Sequence, residues 1–181
     1  MFYAVEAYTS RQWNIRETIH RWFWNVKPFL KLLDAHNGIV SGSEAVQFFA
    51  RRKWPCTDMN IYVPLHGLLP IGRYIQRQDF FFTPSNDKHP FFDAAALSYT
   101  SYMSSPDSPL HRRSTHPGPH AYTAFGFARP PNFSAARPGR RIQIIVVHGN
   151  PVEYIINNFH SSTSTKLACG RFANVFLLQP A

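Results

Sequence analysis

Residues 38–63, GIVSGSEAVQFFARRKWPCTDMNIYV, constrain the fold of this chain more than any other stretch. A very short apolar run, Ile39-Val40, meets a Ser-Gly-Ser turn. SEAVQFFARR then reads as a helix, with Ala45, Val46, Phe48 and Phe49 turned inward. Ser43 stands at its N-terminus, where a hydroxyl caps backbone N–H groups. A basic link containing Pro55 leads to DMNIYV, a strand over residues 58–63. Strand periodicity puts Met59, Ile61 and Val63 on one face and Asp58, Asn60 and Tyr62 on the other. A strand, a tight turn, a helix and a second half-buried strand demand a layered α/β arrangement.

The rest of the chain supplies the other elements. RQWNIRETIHRWFWNV, residues 11–26, places Trp13, Ile19, Trp22, Phe23 and Val26 at helical spacing. A second helix is expected from Pro28 to His36, closed by Asn37-Gly38 with glycine as the left-handed cap. LHGLLPIGRYIQRQD reads as a helix interrupted or started at Pro70, and FFFTPS as a strand. Residues 86–119 are rich in Ser, Pro, His and Asp and read as one long loop. AYTAFGFAR and RRIQIIVVHG are strands, and NPVEYIINNFH is a helix with Asn150 as N-cap and Pro151 at its first position. RFANVFLLQP reads as a closing strand. No repeat is present, and the Gly-rich turn of a dinucleotide-binding fold is missing.

Length and charge narrow the class. The 181 residues suit one domain, with residues 1–37 as its N-terminal helical part. Hydrophobic residues make up 44% of the chain, enough for a real core and against disorder. A formal charge of +9 points to an anionic partner, a nucleotide, a nucleic acid or an acidic protein surface. The charge is uneven: residues 108–181 hold eight Arg and Lys against the single carboxylate of Glu153. The first residues lack the basic and apolar regions of a secretory signal, and no uncharged apolar run approaches the ~20 residues of a membrane span. The expectation is an intracellular protein, cytoplasmic or nuclear, without a membrane association.

Gly42-Ser43 before a helix is a phosphate-handling geometry. Glycine lets a phosphate approach the backbone, and the helix N-terminus presents N–H groups and partial positive charge. Asp58 and Asn60, at i and i+2 of a strand, can share a divalent ion, as the metal-binding carboxylates of nucleotidyl transfer do. On these residues the chain resembles the nucleotidyltransferase fold, the DNA polymerase beta-like superfamily. More closely, it resembles a family of uncharacterised proteins from mushroom-forming fungi built on that fold. The matching blocks, in order, are SGSEAVQFF, DMNIY, IQIIVV and PVEYIINNFHSS, from about residue 38 onward.

The resemblance implies a nucleotidyltransferase-like mixed sheet with helices mainly on one face and an N-terminal helical addition. It implies Gly42 and Ser43 holding a nucleoside triphosphate, and Asp58, the catalytic carboxylate, holding Mg2+ with Asn60. The implied reaction is Mg2+-dependent transfer of a nucleoside monophosphate to an acceptor hydroxyl. The chain departs from the pattern at two points. Asn60 stands where the family has its second carboxylate, and Gln143 stands at the position of the third. An amide ligates through its carbonyl oxygen but brings no charge, and hard divalent ions favour charged oxygens. Glu44 and Asp79 are the carboxylates available as substitutes. The expectation is a nucleotide-binding protein with a degenerate metal site; the alternative is an inactive interaction module that binds nucleic acid or a protein through its basic C-terminal half.

Other candidates are weaker. His111, His116 and His120 cluster without cysteines in a segment broken by Pro and Gly, and structural zinc takes four ligands. His160 ends a helix, where the dipole favours a cation. Cys56 and Cys169 carry no nucleophile signature and allow one disulfide. Trp13, Trp22, Phe23 and Trp24 read as core or as a cover over the sheet, with stacking on bases as the other use. Arg51, Arg52 and Lys53 read as a solvated basic turn or a phosphate contact.

Overall fold

The alternation of Met59, Ile61 and Val63 is matched two strands away by Phe125 and Phe127 and next door by Ile142, Ile144 and Val146. All are buried on one face of a single sheet. The computed structural model describes residues 14–50, 58–105, 121–130, 139–158 and 167–169. Within them lie six α-helices: α1 (Ile15–His20), α2 (Val26–Ala35), α3 (Ser43–Ala50), α4 (Leu68–Gln76), α5 (Phe92–Ser104) and α6 (Pro151–Asn158). The strands are β1 (Ile39–Ser41), β2 (Asp58–Pro64), β3 (Phe81–Thr83), β4 (Ala121–Arg129), β5 (Arg140–Val147) and β6 (Leu167–Cys169). The sheet order is β3-β4-β5-β2-β1-β6. Among the described strands only β2 and β5 run parallel; the other pairs are antiparallel. The chain is therefore α/β with a mixed sheet, as its pattern of elements requires.

Helices α1, α2, α4 and α5 cover the apolar face, where Trp22, Phe23, Phe29 and Phe92 fill the core between them. Phe23 meets Phe29 with ring centroids 4.4 Å apart and Tyr74 edge-on at 5.6 Å. The Tyr74 hydroxyl donates to the Asn25 carbonyl, so the polar end of this aromatic group is satisfied. Helix α5 crosses α4 where residue 72 has no side chain: a Cβ there would lie 2.0 Å from Phe92 Cζ. On the opposite face α6 covers a smaller cluster of Ile39, Tyr62, Val147 and Ile155.

Four boundaries differ from the sequence reading. The segment read as one long loop over 86–119 contains α5, thirteen residues with Asp93 in its first turn. Ala94, Ala95 and Ala96 favour helix, and Phe92, Ala95, Ala96 and Met103 supply the buried stripe. The Ser- and Pro-rich flanks masked that stripe. Helix α1 stops at His20, because Trp22 and Phe23 turn into the core there as a bend. Helix α2 begins at Val26, with Pro28 in its first turn, and its left-handed closing residue is Asn37 (φ 51°), not Gly38. The expected strand RFANVFLLQP lies outside the described residues.

Candidate functional site

Strand β2 is the centre of the site because it has β1 on one side and β5 on the other. In register, Asn60 faces Ser41 across the antiparallel pair and Gln143 across the parallel pair. Asp58 faces Arg141. Paired residues share a face, so Asp58, Asn60, Arg141 and Gln143 form one polar strip. Helix α6 covers the other half of that face; Asp58, Arg141 and Gln143 are exposed, and Asn60 is half-buried.

The turn after β1 lies against this strip. Ser41 is buried, Gly42 adopts φ +79°, and α3 starts at Ser43. The Gly42 carbonyl accepts from Val46 N–H at 3.0 Å, closing the first turn of α3. A Cβ on residue 42 would lie 3.1 Å from Asn60 Nδ2, a tight contact that would shift the Asn60 amide by a few tenths of an ångström. Ser43 Oγ donates over a long 3.5 Å to the Asp58 carbonyl. Gly42, Ser43, Asp58 and Asn60, separate in the sequence, thus converge at one corner. N–H groups in the first turn of α3 have no acceptor within the helix, which makes that corner receptive to an anion.

The two substitute carboxylates do not join them. Glu44 is 1% exposed and bound to Arg21: Nε donates to Oε1 at 2.9 Å and Nη2 donates to Oε2. Arg21 Nη2 also donates to Gln47 Oε1 at 3.1 Å. Burial pushes the Glu44 carboxyl above its usual range, and Arg21 opposes this without cancelling it. Asp79 is exposed in the turn before β3, a strand that β4 and β5 separate from β2, about 14 Å at ordinary strand spacing.

A resident pair of Mg2+ ions does not fit this donor set. The strip offers one carboxylate, Asp58, and the amides of Asn60 and Gln143, with the Arg141 cation beside them. Among the described residues no three His, Cys, Asp or Glu are grouped to hold an ion.

Several expected candidates lie outside the described residues: Arg51, Arg52, Lys53, Cys56, Trp13, His111, His116, His120 and His160. Of the aromatic N-terminal group, Trp22 and Phe23 are fully buried and Trp24 is 67% exposed. Cys169 lies in β6, in register with Ile39. Sequence reasoning missed the Arg21–Glu44–Gln47 network. The available signal was helical spacing, since Glu44, Gln47 and Phe48 share the buried side of α3.

No protein-family model, curated protein or solved structure matches the chain. No helix among the described residues is long and apolar enough to cross a membrane.

Proposed function

We propose that this chain is a nucleotidyltransferase-fold protein that binds a nucleoside triphosphate at the Gly42–Ser43 turn. Its metal site is degenerate, so transfer of the nucleoside monophosphate is attenuated or lost. The observation that carries the reading is the corner itself: a left-handed glycine at a helix start, where an added Cβ would lie 3.1 Å from the Asn60 amide, with Asp58 on the same strand. The phosphates would lie against the first turn of α3, where the backbone and not a side chain neutralises them. Asp58 would meet a Mg2+ carried by those phosphates, and Arg141 would add positive charge on the same face.

The resemblance to the fungal family supports the same reading through its four blocks. The amides at 60 and 143 argue for binding over turnover. The experiment is Asn60→Asp, which returns a carboxylate to the strip. Triphosphate binding in the presence of Mg2+ is expected to tighten about tenfold in this variant, as an added charged ligand does. Binding unchanged by the substitution would contradict a metal-linked role for this position.

A further inference from the structure

At the same end of the sheet, on the helix-covered side, lies a cleft of about 520 Å3 whose lining among the described residues is His20, Arg21, Trp24 and Arg140. We propose that this cleft binds a single strand of nucleic acid, with one unpaired base stacked on the Trp24 indole and its phosphates against Arg140 and Arg21. The proposal goes beyond triphosphate binding and does not depend on it.

Trp24 is the first observation. Trp22 and Phe23 are fully buried, and they leave the next aromatic residue outside, 67% exposed. Trp24 N–H donates to Gln78 Oε1 at 3.0 Å, which ties this bend to the turn after α4. An indole this open to solvent offers a face on which a base can stack.

The cations are the second observation. Arg140 opens β5, and its guanidinium lies over the Trp22 ring, 5.0 Å from the centroid. Arg21 is held at the rim by buried Glu44 and by Gln47, which fixes its plane while its side chain stays 20% exposed. Glu44 acts on both charges, Arg21 through the ion pair and Arg140 at longer range, so two guanidiniums against one carboxyl leave these groups net positive, and His20 adds an imidazole to the lining. The neighbouring Arg141 emerges on the other face, beside Asp58, so positive charge continues around the end of β5. The chain as a whole carries +9, which complements a polyanion.

The combination selects the occupant. Guanidinium groups recognise phosphate, and an exposed indole face recognises the π-face of a base. A base in a duplex is already stacked and does not offer that face. The cleft volume lies in the range of small-ligand sites, about 300–1,000 Å3, and suits one nucleotide unit of a longer strand.

The test is fluorescence anisotropy of labelled oligo-dT and oligo-U of about twelve nucleotides, in chelator and without triphosphate, at about 50–200 mM salt. Binding is expected to weaken steadily with salt. Trp24→Ala is expected to weaken it about tenfold, with Trp24→Phe restoring most of the loss. Arg140→Gln is expected to flatten the salt slope by about 0.7. Trp24 is exposed, so its variants are expected to keep the melting temperature of the parent. The proposal is overturned by any of four results: no binding at the lowest salt, full affinity in Trp24→Ala, equal affinity for a duplex or a mononucleotide, or an acidic peptide binding in place of the oligonucleotides. Absence of triphosphate binding, measured separately, leaves it standing.

Discussion

Gly42 is where backbone and site chemistry meet. A side chain there is strained by the φ of +79° and would press on the Asn60 amide at 3.1 Å. Gly42→Ala is expected to cost about 1–2 kcal/mol in urea denaturation, with loss of the anion-receptive turn. Glu44 carries a different kind of constraint. Its carboxylate is buried and paired with Arg21, so Glu44→Ala leaves a guanidinium largely enclosed without its counter-charge. The expected cost is about 3 kcal/mol, and Glu44→Gln recovers only part of it, because the amide keeps one acceptor for Arg21 but no counter-charge. The two residues also mark what a sequence can show. The placement of Gly42 and Ser43 at a turn into a helix, and of Asp58 and Asn60 on one strand face, was legible because the turn and the alternation of β2 are local patterns. The fate of Glu44 was not, because its partner Arg21 is 23 residues away and reaches it only through tertiary packing.

Elements were legible in proportion to their periodicity. Strands β2, β4 and β5 follow the two-residue alternation of their sequences, and α6 starts where Asn150 Oδ1 accepts from Val152 N–H at 2.9 Å. Helix α5 escaped because Ser, Thr and Tyr fill its outer side and dilute the apolar stripe that Phe92, Ala95, Ala96 and Met103 form. Element ends also set a pH response. His36 closes α2 and faces His66 of the turn after β2, with ring centroids 5.7 Å apart. Burial, and after it the His66 charge, hold the His36 imidazole below its ordinary value of 6.5. Its Nδ1 is buried and finds no hydrogen-bond partner among the described residues, so a proton there would be unsatisfied. A lowered pKa in the folded state means that neutral His36 favours folding above about 6.5, and that this contribution is lost as pH falls through the folded-state value. The urea midpoint is expected to fall between about pH 7.5 and pH 5, and to fall less in His36→Gln. Equal falls in the two proteins would show that this pair does not set the response.

On the scale of the whole molecule, the sheet separates three tasks. One face is closed by four helices around an aromatic core, half of the other is closed by α6, and the remaining half presents the polar strip. The α/β class and the mixed sheet follow from this arrangement. The parallel β2–β5 pair is what unites a motif near residue 58 with a strand more than eighty residues later. That union could be anticipated from the order of the blocks but not from any one of them. The proposed function turns on whether the corner beside β2 takes a triphosphate. Calorimetric titration of a nucleoside triphosphate with Mg2+ into the parent protein and into Asp58→Ala measures this directly. Binding is expected in the parent, with affinity at least about tenfold weaker in Asp58→Ala, the loss of a charged contact. No heat of binding at millimolar triphosphate, or equal affinity in the two proteins, would contradict it.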